Sequence, residues 1–173
     1  MAIGIPYFKQ ETLYTCGAAV CKMILSYYGI DKSEVQLVRI LDIRPRKGTT
    51  LSKINDFFKN LGFNCDYYPR VENAERAFKK LENYLKVNIP IIVSVNRFEY
   101  DRVTERMGIK TNWEEEDFSY HFITLTGLDV SKIYFNDPHE KIGRYKLSRK
   151  NFLKAWYNDR LSGEILAVKS KCR

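Results

Sequence analysis

Residues Gln10 to Gly29, QETLYTCGAAVCKMILSYYG, decide how the rest of the chain is read. They describe a short polar loop that brings one cysteine, Cys16, to the start of an amphipathic helix. Ala19, Val20, Met23, Ile24, Tyr27 and Tyr28 recur close to helical spacing. Gly29 stands where a helix stops in a left-handed cap. A thiol at a helix N-terminus feels the positive end of the macrodipole, which favours thiolate over thiol. The thiolate is the reactive form, so Cys16 is a candidate nucleophile. Gln10, six positions earlier, can offer its side-chain amide to the oxygen of a carbonyl under attack. Together with the backbone N–H of Cys16 it would make an oxyanion hole. Gly17, without a side chain, leaves room for a substrate to approach the sulfur. The plainer reading of a cysteine near an apolar helix is a small core residue, and Cys21, in the same helix, fits that role.

Bulk properties narrow the classes. The chain has 173 residues, which suits one domain with a real core over 1–173 and is short for two. Hydrophobic residues are 45% and charged residues 29%, an ordinary globular balance. The longest apolar runs, such as Ile89–Val95, are far too short to span a bilayer, so no membrane insertion is expected. Met1–Pro6 lacks the basic and apolar regions of a secretory signal, and the expected location is the cytoplasm. Cys16, Cys21, Cys65 and Cys172 show no C-x-x-C spacing, which argues against structural zinc. Their low density argues against a disulfide scaffold. No metal and no cofactor are expected. A net charge of +8 invites a nucleic-acid reading. The basic residues are dispersed, however, with Arg44, Arg46 and Lys47 the densest group, and no nucleic-acid partner is expected.

Taken in order, the first half reads as helical. Ser33-Glu34-Val35-Gln36 is a capping box opening a second helix through about Asp42. Ile43–Thr49 is a polar turn. Thr50 or Ser52 opens a third helix, with Leu51, Ile54, Phe57, Phe58 and Leu61 on its buried side. Phe63–Tyr68 is a short strand. Asn73 caps a fourth helix that turns Ala77, Phe78, Leu81, Tyr84 and Leu85 inward. The second half reads as strands: Pro90–Val95, Tyr120–Gly127, Lys132–Asn136, Arg144–Leu147 and Glu164–Lys169, with a short helix over Arg149–Trp156 capped by Ser148. A helical lobe followed by an antiparallel sheet is an α+β plan, and the natural site is a cleft between the two. Residues 96–119 form a long charged connection with some helix around Tyr100–Met107. It reads either as a flap over the cleft or as a solvated insertion.

Two histidines are available as a base. His121 starts an apolar strand directly after that connection, and His139 lies in a loop that reads as exposed. If the strand from His121 pairs with Lys132–Asn136 as a hairpin, the start of one lies beside the end of the other. His121 and Asp137 then meet at one end of the sheet, while Asp129 falls at the far, turn end. A carboxylate beside an imidazole fixes its tautomer and orientation. The bland reading of Asp137 is turn chemistry, since Asp-Pro often starts a turn.

The order Cys, His, Asp is papain-like. Gln10-x5-Cys16-Gly17-Ala18-Ala19, continuing to Tyr27-Tyr28-Gly29, resembles the bacteriocin-processing, double-glycine leader peptidase family of the papain-like clan. His121-Phe122-Ile123, Asp137-Pro138 and Ser148-x3-Phe152-x3-Trp156 resemble that family's later motifs, so the likeness covers nearly the whole chain. It implies a papain-like fold and a cysteine peptidase with Cys16 as nucleophile, His121 as base, Asp137 as orienting group and Gln10 as oxyanion donor. It also implies a peptide or protein substrate cut after small residues such as Gly-Gly. Family members are commonly the N-terminal domain of an exporter; no transporter follows here, so the expected partner is an ABC exporter encoded separately. Thr15 stands where the family usually has an acid, and 96–119 is longer than the family leads one to expect. The same groups would serve an acyltransferase or transglutaminase-type enzyme. The fold alone would serve a peptide-binding module without chemistry.

Overall fold

In the computed structural model the described residues are 2–45, 47–110, 119–139, 141–157 and 163–171. The elements run α1 (Cys16–Tyr27), α2 (Glu34–Ile40), α3 (Leu51–Asn60), β1 (Phe63–Tyr68), α4 (Ala74–Lys86), β2 (Ile91–Asn96), α5 (Arg97–Glu105), β3 (Tyr120–Leu128), β4 (Lys132–Asp137), β5 (Gly143–Ser148), α6 (Arg149–Trp156) and β6 (Ile165–Lys171). The helix ends follow local chemistry. Gly29 takes φ +74, and the N–H groups of Gly29 and Ile30 close onto the carbonyls of Ser26 and Leu25, which ends α1 in a Schellman cap. Ser33 and Gln36 form a reciprocal capping box on α2. Thr50, rather than Ser52, caps α3. Asn73 caps α4, and Ser148 caps α6.

Six antiparallel strands lie in the order β1-β6-β2-β3-β4-β5. Alternation along the central strands sorts the core into two clusters. Ile91, Val93 and Val95 of β2, with Ile165 and Ala167 of β6, pack with Ala77, Leu81, Tyr100, Phe152 and Trp156 of α4–α6. Ile92, Leu166 and Val168 point the other way, onto Val20, Ile24, Leu25, Leu37, Ile54 and Phe58 of α1–α3. All six residues of β2 are buried because both its faces are covered. The α+β plan therefore stands with one refinement. The helices do not all lie on one side: α4, from the first half of the chain, covers the opposite face from α1–α3, alongside α5 and α6. Strand β1 also leaves the helical half, to pair with β6 at the sheet edge. Removing bulk at a fully buried position such as Phe58 should cost about 3–5 kcal/mol.

Among the described residues no helix is long and apolar enough to cross a membrane.

Candidate active site

Cys16 is the first residue of α1, half-buried, with Thr15 at the N-cap. Thr15 does not cap the helix with its side chain. Its hydroxyl turns back into the loop, donating to Thr12 O at 3.0 Å and accepting from Thr12 N at 3.1 Å. The N–H groups of the first turn therefore take no hydrogen bond from the Thr15 side chain. The loop is tied at two further points. Gln10 N donates to Pro138 O at 2.9 Å, which joins it to the segment just past β4. Glu11 N donates to Oε1 of Glu34, a buried carboxyl on the first turn of α2, at 2.8 Å. Burial raises the Glu34 pKa above the ordinary range, against the lowering effect of the hydrogen bond from Glu11 N.

Gln10 is buried, and its Nε2 donates to Thr12 O at 2.7 Å. An amide nitrogen carries two hydrogens, so a second remains for another acceptor. Its Oε1 is buried without a partner among the described residues. Gly17 is buried as well. A Cβ there would collide with the Thr49 methyl group and touch Ile54 and Phe122. The close approach that excludes a side chain at Gly17 is made by the loop before α3, in place of the open space for substrate that the bare sequence suggests.

The hairpin geometry places the remaining groups. β3 and β4 pair antiparallel, so the start of one and the end of the other share an end of the sheet. His121 Nε2 and Asp137 Oδ1 are 2.7 Å apart, with both side chains almost wholly buried. Nε2 is committed to the carboxylate, which leaves Nδ1 as the ring nitrogen for the His121–Cys16 hydrogen bond. Burial alone would lower the His121 pKa. The charge of Asp137 and the hydrogen bonds to Asp137 and Cys16 together outweigh it, raising the value from 6.5 to about 10. Asp129 lies at the turn end, where it accepts from Ser131 N, Lys132 N and the Tyr134 hydroxyl, each at 2.8 Å.

Two features were not readable in advance. His139 is buried, at 4% exposure, where the sequence suggested an exposed loop. The chain turns inward after Asp137. His139 N donates to Asp137 Oδ1 at 2.7 Å, and the His139 carbonyl accepts from Ile142 and Gly143. The second feature is Tyr100, fully buried on α5, whose hydroxyl donates to Asp137 Oδ2 at 2.6 Å. The 96–119 connection is therefore in part a docked helix, with Tyr100, Val103 and Thr104 buried. Residues 111–118, a later part of the 96–119 segment read as a flap or insertion, lie outside the described residues. The spacing of Tyr100, Val103 and Thr104 after a capping Asn96 was the available signal for a buried helical face.

A thiol at a helix start, an imidazole hydrogen-bonded to it and a buried carboxylate behind the imidazole can together form a nucleophile and shuttle a proton. A model of the Peptidase_C39 like family matches residues 2–163. A Lactococcus lactis subsp. lactis (strain IL1403) protein named Lactococcin transport/processing ATP-binding protein LcnC-like is 29% identical over 150 residues, 87% of this chain and 17% of that protein. The chain thus spans about a sixth of that curated relative. The solved peptidase domain of Streptococcus ComA, a bi-functional ABC transporter involved in a quorum sensing pathway, superposes with a TM-score of 0.69 at 19% identity, covering 95% of this chain and 98% of that one. A double glycine motif protease from an AMS/PCAT transporter, solved in complex with the leader peptide, superposes with a TM-score of 0.69 at 21% identity, covering 98% of this chain and 94% of that one. At these identities the structural likeness is one of fold.

Proposed function

Because the chain belongs to the Peptidase_C39 like family, a family of cysteine-type peptidases, we propose that it hydrolyses peptide bonds with Cys16 as nucleophile, His121 as acid and base, Asp137 as the group that orients His121, and Gln10 as oxyanion donor. The observation that carries the reading is the buried His121–Asp137 pair, 2.7 Å apart, hydrogen-bonded to a cysteine at the head of α1.

The Cys16 sulfur attacks the scissile carbonyl carbon, and the electron pair moves onto oxygen. The second amide hydrogen of Gln10 and the N–H of Cys16 stabilise that oxyanion. The raised value of His121 keeps its ring protonated at neutral pH, so Nδ1 has a proton ready for the leaving amine as the C–N bond breaks. The now neutral ring takes a proton from water, which attacks the thioester. The acid product leaves, and the Cys16 thiolate and imidazolium are restored.

For substrate we infer a leader peptide cut after Gly-Gly, on its way to an ABC exporter. Support comes from the names of the relatives, which speak of transport and processing, of a double glycine motif and of a leader peptide. This work would take place in the cytoplasm. The test is to incubate the purified protein with synthetic peptides carrying a Gly-Gly junction and to weigh the products. Cleavage is expected, and Cys16→Ala should abolish it while the protein stays folded. Cleavage that survives in Cys16→Ala overturns the assignment. A product extended by an added amine would identify acyl transfer as the dominant fate of the thioester.

A further inference from the structure

We propose that Tyr100 is a positioning residue for the Cys16–His121–Asp137 set: its hydroxyl holds one oxygen of Asp137 so that the other is presented squarely to His121. The inference rests on the reading of that set as catalytic.

A carboxylate has two oxygens and turns about a broad, roughly two-fold torsion, so a single hydrogen bond does not fix its orientation. At Asp137 the two oxygens are used differently. Oδ1 accepts from His121 Nε2 and from His139 N, both at 2.7 Å. Oδ2 accepts from the Tyr100 hydroxyl at 2.6 Å. Asp137 is wholly excluded from solvent, so water does not replace a lost donor at little cost. Without the hydroxyl, Oδ2 is a buried charged oxygen short of a partner, and rotation of the carboxylate to recover one would break the bond to His121.

Tyr100 is itself fixed. It has no exposed surface, and its ring lies 6.1 Å from the His121 ring at 32° and meets Phe135 edge-on. Its carbonyl accepts from the Thr104 hydroxyl at 3.1 Å. Helix α5 is anchored to the strands that frame His121. Asn96, the last residue of β2, caps it by accepting from Glu99 N at 3.1 Å, and Arg97 N donates to Ser119 O at 3.0 Å. Burial, and after it the Asp137 charge, lifts the Tyr100 hydroxyl well above the usual tyrosine range, so it remains a donor at any working pH. A helix inside a long connecting segment thus supplies the group behind the carboxylate.

Tyr100→Phe removes one oxygen and keeps the ring and its packing, which makes it the decisive variant. Three readouts are taken on the unaltered protein, Tyr100→Phe and the surface control Tyr134→Phe: the rate of Cys16 alkylation by iodoacetamide at mildly acidic pH, kcat and KM on a cleaved peptide, and the proton resonance of His121 Nε2–H. In Tyr100→Phe, alkylation and kcat should fall about tenfold with KM unchanged, and the resonance should shift and broaden. Tyr134→Phe should match the unaltered protein in all three. A merely structural role for Tyr100 would lower the melting temperature and leave kcat and the resonance in place, which overturns the proposal. If Cys16 of the unaltered protein reacts no faster than Cys65, the catalytic reading itself fails, and this inference with it. Fast Cys16 alkylation that is equal in Tyr100→Phe overturns this inference alone.

Discussion

Asp129 and Asp137 stand at opposite ends of one hairpin, and each accepts a hydrogen bond from a tyrosine. Asp129 is half-buried, and its partners Ser131, Lys132 and Tyr134 all lie within five residues of it. Asp137 is buried, and two of its three donors, His121 and Tyr100, are 16 and 37 residues away. The number of hydrogen bonds does not separate the two acids; the reach of their partners does. Local donors make a turn, which the chain can form wherever it finds itself. Distant donors converge only when the sheet has placed them, and what they build is a site.

The contrast can be broken most sharply at the imidazole. His121→Ala should lower kcat by about five orders of magnitude, and Asp137→Ala by about three, because the orienting group of such a set contributes less than its base. Steady-state kinetics on a cleaved peptide checks both. A larger loss in Asp129→Ala than in Asp137→Ala would reverse the assignment of the two ends.

The pH dependence of stability should run in opposite senses at the two ends. The folded value of His121, about 10, lies above its ordinary 6.5. Its contribution to stability is therefore fully present below about 6.5 and is lost as pH rises through about 10. Asp129 is held below its ordinary 3.8, chiefly by the hydrogen bond from Ser131 N. Its contribution is present above about 4 and is lost as pH falls further. Melting temperatures across pH should show the unaltered protein and Asp129→Asn converging in acid. The advantage over Asp137→Asn should shrink progressively as pH rises from about 6.5 to about 10. The smallest effect belongs to Asp129→Ala at neutral pH. Its melting temperature should drop by a few degrees through loss of a surface turn, and its kcat should stay within about twofold of the original.

The same distinction explains what could be read in the sequence. Cys16, His121 and Asp137 each sit at the end of an element with a clear periodic signal, so the hairpin rule alone brought His121 to Asp137 and excluded Asp129. The capping groups Ser33, Asn73 and Ser148 were legible because a cap is a contact within three residues. Tyr100 was not, since a tyrosine on the inner face of a short helix looks the same whether it meets a leucine or a carboxylate. His139 was misjudged because polar residues after Asp-Pro usually face water, and only the docking of Gln10 on Pro138 shows that this loop is covered. Which face of the sheet each helix covers was also hidden, because amphipathic patterning says that a face is buried and not against what.

The place of β6 has a consequence in time. It is the last of the six strands to be made, yet it lies inside the sheet, between β1 and β2. Until it arrives, β1 has no neighbour and the apolar run of β2 has one edge bare. Phe63 must find Lys171, a pairing that closes most of the chain into one loop and is slow for that reason. An uncovered apolar edge invites pairing with another chain. The growing polypeptide is thus most exposed to aggregation when all but the last strand of this sheet has been synthesised, and the sheet that carries His121 and Asp137 becomes whole only when that strand slides home.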